Sequence, residues 1–248
     1  MNQHRMASML FCSALVIFLT SCGNSGESKN TSDTTSNTSE STAPTSTTTP
    51  ANTILTTPQD MMVATHKVKD FNKFMASYDA HDSMRLANGI HSYVIGRGFT
   101  DTSMVLVAVN VDDVKKAEAF SKSPDLKKAM EKSGVAGPPT IKFTTMVYRD
   151  TANIATTLRS RTTFTVKDWN KWKNSFDSSR QQRADNGIVD RAYGHEVNDD
   201  HKITVVVALT DTAKAFAYWK SAELKKRMAE SGMIGQPQRF LYNMVKKY

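Results

Sequence analysis

His81 and Arg85 continue a spacing of three and four set by Phe71, Phe74 and Tyr78, so one helix face carries three aromatic rings and then an imidazole and a guanidinium. Such a pair can pass a proton or clamp the carboxylate of a bound acid. A second group alternates at period two: Tyr93 and Arg97 in one stretch, Arg191, Tyr193 and His195 in another. On a strand, that period puts the members of a stretch on one face. If the face points inward, they line a polar interior able to hold a small ligand; if it points outward, they are ordinary surface.

The elements that position these residues occur twice. Val68-Lys69-Asp70-Phe71-Asn72-Lys73-Phe74 recurs as Val166-Lys167-Asp168-Trp169-Asn170-Lys171-Trp172, and Arg85 with Asn88-Gly89 recurs as Arg183 with Asn186-Gly187. The stretch from Ser123 to Pro139 recurs from Ser221 to Pro237, with Leu126, Met130 and Gly134 answered by Leu224, Met228 and Gly232. Leucine and methionine four apart, lysines near the end and a glycine able to take positive φ are the parts of a helix stop. Each copy reads strand, helix, strand, strand, helix, strand. In the first these span Met62 to Val68, Asp70 to Asn88, His91 to Phe99 and Met104 to Val111, then a helix capped by Asp112 or Asp113, then Ile141 to Tyr148. The repeated stop is expected to be the turn from that second helix back to the last strand. The order βαββαβ is the ferredoxin-like split unit.

The duplication weighs against a conserved reaction in both halves. Position 81 becomes Ser179 in the second copy while Arg85 is kept as Arg183. A plainer role for both arginines is a cation at a helix C-terminus, favoured by about 0.3–1 kcal/mol. His66 aligns with Phe164, which fits a core ring better than a metal ligand. No histidines stand four apart on a helix and no carboxylates gather around one, so neither a metal nor a cofactor is called for. Trp169 and Trp172 occupy core helix positions, so nucleic-acid stacking is not expected. The only cysteines, Cys12 and Cys22, precede both copies and exclude disulfides and thiol chemistry there. Of the net +8, the second copy (151–248, 17 Lys+Arg against 10 Asp+Glu) carries most; the first (58–150) has 13 against 11.

Arg5 precedes an apolar run from Met9 to Leu19, too short for the roughly 20 residues of a spanning helix and right for a signal core. The ending Leu19-Thr20-Ser21-Cys22 resembles the lipobox of bacterial lipoprotein precursors. That resemblance implies removal of residues 1–21, acylation of Cys22, and a place in the cell envelope on the extracytoplasmic side, facing the periplasm or the surface. Residues 22–57 are more than half Ser and Thr and cannot bury enough apolar surface to offset chain entropy. They are expected to be a disordered tether with a reach of roughly 30 Å.

A single four-stranded sheet with helices on one face leaves the other face bare, and two copies remove that problem by stacking their sheets into a barrel. On the βαββαβ order, the aromatic helix ending in Arg and Asn-Gly, and the Leu-Lys-x-x-Met-x-x-Ser-Gly-x-x-Gly-x-Pro motif, residues 62–248 resemble the dimeric α/β-barrel, antibiotic-biosynthesis-monooxygenase-like superfamily, in its tandem form. The resemblance implies an α+β fold and a monomer that is its own pseudo-dimer. Its members include cofactor-independent monooxygenases, haem-degrading enzymes and isomerases, so it names no single activity. Two functions are expected: a binding module for a small ligand or an envelope partner, or a cofactor-independent monooxygenase or isomerase working through His81, Arg85 and Tyr93 in the first copy alone. The enzyme reading requires a ligand-sized cavity in the first copy and a filled one in the second.

Overall fold

The computed structural model describes residues 52–248; the signal core, Cys22 and most of the tether lie outside them. A short strand β1 (Ile54–Leu55) already stands within the expected tether. The first copy follows as β2 (Gln59–Val68), α1 (Phe71–Ala80), α2 (Asp82–Leu86), β3 (Ile90–Gly98), β4 (Met104–Val111), α3 (Val114–Ser121), α4 (Pro124–Ser133) and β5 (Val135–Asp150). The second is β6 (Leu158–Val166), α5 (Trp169–Ser178), α6 (Arg180–Asp185), β7 (Ile188–Glu196), β8 (Asp199–Leu209), α7 (Thr212–Lys220), α8 (Ala222–Glu230) and β9 (Met233–Lys247).

Each expected helix is two. Asp70 and Asp168 cap the first in each copy by accepting from the backbone N–H of Lys73 and Lys171. The helix then breaks at His81 and at Ser179, both near φ −100°. At each break an arginine satisfies the carbonyl that the helix leaves. Arg85 Nη1 donates to the Tyr78 carbonyl at 2.7 Å and Arg183 Nη1 to the Phe176 carbonyl at 2.6 Å, taking the acceptors that a continuous helix would use four residues on. The second helix divides at Ser123-Pro124 and at Ser221, where each serine caps the new helix. The repeated stretch is therefore a whole helix with its own start. Gly134 and Gly232 end it at φ +83°, but no separate turn follows: Val135 and Met233 begin β5 and β9 directly. Residues 137–139 and 235–237 form a bulge where the last strand passes the first, between the pairs Thr65–Thr140 and Lys67–Ala136, and between Thr163–Gln238 and Thr165–Ile234.

The strands run in the order β1-β5-β2-β4-β3-β9-β6-β8-β7, and β7 pairs again with β5, which closes β2 to β9 into an eight-stranded barrel. The two copies are not merely stacked. The last strand of each continues past its own sheet and hydrogen-bonds to the other copy, β5 to β7 and β9 to β3. At these seams Met146 stands opposite Gly194 and Met244 opposite Gly96. Three cores result: one between helices and sheet in each copy, and a third inside the barrel around Met61, Val63, Leu106 and Tyr242. The alternation Val105, Val107, Val109 faces the helices, whereas Leu106 and Ala108 face the barrel, so β4 is apolar on both sides.

Candidate functional site

Equivalent cavities lie between helices and sheet in the two copies, about 90 Å³ in the first and 110 Å³ in the second. Both are open, so the expected contrast of one cavity with one filled pocket is absent. The repeated motif supplies a wall in each: Leu126, Met130, Ser133 and Pro139 in the first, Leu224, Met228, Ser231 and Pro237 in the second. A stretch expected only to connect a helix to a strand is thus one wall of the pocket, which is not confined to the first helix.

The two equivalent arginines of these pockets, Arg85 and Arg183, are spoken for; the second pocket is also lined by Arg227, which pairs with Glu223 at 3.5 Å, and by Arg239, whose guanidinium lies 4.7 Å from the Trp219 ring centre. Arg85, 6% exposed, donates through Nε to Ser92 Oγ, through Nη2 to Asp82 Oδ1 at 2.9 Å, and lies 3.6 Å from the Tyr78 ring centre. Arg183 donates to both carboxylate oxygens of Asp190 and to Ser179 Oγ. Neither is a bare cation at a helix end, and neither has a fork left for a ligand. His81 lines the first pocket, but its Nδ1 is engaged 2.6 Å from the Ser77 carbonyl.

The period-two group does not share a face. β3 bulges between Ser92 and Val94, and β7 between Asp190 and Ala192, and each bulge reverses the side chains beyond it. Tyr93 and Arg191 line the barrel interior by ordinary alternation with Ser92 and Asp190, and the bulges carry Arg97, Tyr193 and His195 to the helix side. Arg97 lies on the helix side, its guanidinium 4.7 Å from the Phe71 ring centre and its Nε donating to the Thr102 carbonyl. Tyr193 packs against Phe176 and Trp172 and donates to Asp177 Oδ1 at 2.7 Å; burial and that bond push its hydroxyl well above its ordinary range. His195 sits edge-on to Trp169 at 5.0 Å. The proposed trio is split as a result: Tyr93 is on the opposite side of the sheet from His81 and Arg85.

His66 was the missed residue. It is 6% exposed, lines the first pocket, meets Phe74 edge-on at 5.2 Å, and neither ring nitrogen has a hydrogen-bond partner. Burial lowers its pKa to about 4, so the ring is neutral at pH 7. Its alignment with Phe164 suggested core packing, and the packing is indeed aromatic. The signal that could have marked it is the polar ring in an otherwise apolar setting.

A further cavity of about 120 Å³ lies inside the barrel. Two polar residues of the first strand of the second copy point into it: Arg159 and Arg161 stand on β6 beside Thr204 and Tyr242. Burial raises the Tyr242 hydroxyl to about 12, so it stays a neutral phenol.

No protein-family model matches the sequence, and no curated protein matches it. Among solved structures, an anthrone oxidase-like protein aligns with a TM-score of 0.54 at 11% identity, over 79% of this chain and 95% of that one. A candidate monooxygenase from Lactobacillus acidophilus aligns at 0.52 and 10% identity, over 77% and 95%. Another from Fusobacterium nucleatum aligns at 0.52 and 12%, over 76% and 93%. At such identities the likeness is one of fold. The chain is an α+β protein with the dimeric α/β-barrel fold, built from two ferredoxin-like repeats in one polypeptide.

Proposed function

We propose that this chain is a bacterial envelope lipoprotein, anchored through acylated Cys22 on the extracytoplasmic side, whose barrel holds a small ligand without transforming it. The observation that carries the binding role is the first-copy pocket: an apolar cavity in which the neutral His66 ring is the one buried side chain with both polar atoms unpartnered. One donor and one acceptor in an apolar pocket orient a ligand. Acid-base turnover needs a second placed group, and His81, Arg85 and Tyr93 do not converge to supply it. The ligand class is a largely apolar molecule with one hydrogen-bonding group. The chain works as a monomer, since both halves of the pseudo-dimer are its own, and the lipobox residues support the anchor.

Extraction of the purified full chain, followed by mass spectrometry, tests this reading. A retained apolar molecule that is lost from His66→Phe supports it. Chemical conversion of that molecule on incubation with the wild-type chain, but not with His66→Phe, would establish instead a first-copy monooxygenase, the activity in the names of two structural neighbours, or an isomerase. Release of Cys22→Ser into the soluble fraction supports the anchor, and its retention in the membrane fraction removes it.

A further inference from the structure

The barrel interior carries more positive charge than its fold requires, with Arg159 buried, Arg149, Arg161 and Arg191 half-buried and Lys247 exposed. Arg149, Arg159, Arg161, Arg191 and Lys247 line one cavity with a single carboxylate, Asp150. Asp150 is committed to Arg191, 2.9 Å from its Nη1. Arg159 is 5% exposed and its Nη1 reaches only the carbonyls of Thr156 and Leu158. Arg149 donates through Nη1 to Asn110, while its Nε is buried without a partner. Among the described residues Arg161 makes no ion pair and no side-chain hydrogen bond, and its Nε is also buried without a partner. Burial disfavours the charged form of both Arg159 and Arg161; Arg191 adds to the repulsion on Arg159, whereas the Glu196 carboxylate offsets part of the burial at Arg161 without pairing with it.

An uncompensated buried guanidinium costs several kcal/mol, which an apolar side chain of similar volume avoids. The first copy demonstrates the apolar solution at the same places. In the 98-residue register Arg159 and Arg161 correspond to Met61 and Val63, which are buried in the same interior. The barrel can therefore be built without these two arginines, and their presence in the second copy calls for a compensating charge. The cavity also has an apolar wall, where Met61, Val63 and Met146 face the cations. An occupant that satisfies both sides has an anionic end and an apolar body, and the planar fork of arginine fits a carboxylate.

We propose that the barrel interior is a binding site for a small organic carboxylate, gripped by Arg159 and Arg161 with its apolar body against Met61 and Val63. This site is separate from the helix–sheet pocket of His66 and lies on the other face of the sheet. It stands or falls independently of the ligand proposed there.

The test is thermal unfolding of the full chain at constant ionic strength with acetate, hexanoate and benzoate, beside benzamide as the neutral isostere and inorganic phosphate as the anion without an apolar body. Saturable stabilisation is expected from hexanoate or benzoate, exceeding that from benzamide and phosphate. Arg161→Val and Arg159→Met, each the residue of the other copy, are expected to fold, to unfold at the same or a higher temperature without ligand, and to lose affinity about thirtyfold or more. His66→Phe is expected to leave the carboxylate response unchanged. Absence of a shift with all three carboxylates overturns the site, as does an equal shift with benzamide or phosphate, or an Arg161→Val variant of undiminished affinity. Failure of both arginine variants to fold would make these arginines structural and likewise overturn it.

Discussion

Arg183 grips Asp190 through two hydrogen bonds, 2.8 Å from Nε and 2.5 Å from Nη2, with both side chains less than a tenth exposed. The same helix–strand joint in the first copy is weaker: Arg85 meets Ser92, and its only carboxylate is the half-exposed Asp82. Asp190→Ala strands a buried guanidinium and is expected to cost about 3–5 kcal/mol. Ser92→Ala removes neutral bonds and is expected to cost about 1 kcal/mol. Urea unfolding of the two variants measures the difference, and equal losses would contradict it.

The pH dependence follows from His66. Its folded pKa of about 4 lies below the ordinary imidazole value of 6.5, so between those values the unfolded chain binds a proton that the native chain does not. Stability is therefore lost as pH falls through that window, by roughly 3 kcal/mol at the acid end. His66→Phe, the residue of the other copy, is expected to remove this component. Unfolding free energies of the two proteins from pH 7 to pH 4 should diverge, with the variant the more stable at the acid end.

The seams between copies depend on two glycines. A Cβ at Gly96 would collide with the Tyr242 ring, and one at Gly194 with the Thr145 carbonyl. A side chain can shift where a paired strand backbone cannot. Gly96→Ala is expected to cost about 1–3 kcal/mol and Gly194→Ala more, read as the order of their unfolding midpoints.

The chain ends on the other copy's helix. Tyr248 donates to Asp79 Oδ1 at 2.5 Å and packs on Tyr78, while Lys246 reaches the same carboxylate at 2.9 Å. The Tyr248 hydroxyl bond and then Lys246 hold the Asp79 carboxyl below its ordinary range. Deleting Tyr248 is expected to cost about 1 kcal/mol, a fall of about 2–4 °C in Tm, with earlier amide exchange in α1 than in α5.

The sequence by itself determined the repeat, its register and the order of elements, because these are local properties. Valines at period two, aromatic residues at three and four, capping aspartates and positive-φ glycines act within a few residues of themselves. The duplication then implied a barrel, since a single copy cannot cover its sheet. What the tertiary structure decided is where side chains point. Tyr93 and Arg191 point inside, and one bulge in β3 and one in β7 turn Arg97, Tyr193 and His195 to the helix side. A bulge leaves no clear mark in composition, and a slip of one residue reverses a strand's faces. Likewise, Arg85 and Arg183 cap the carbonyls at the helix breaks and also reach Ser92 and Asp190, contacts that exist only once the helix packs on its strand. The arginines of β6 carry no sign in the sequence of what they face. Closure of the barrel gathers them, across strands distant in sequence, around one cavity.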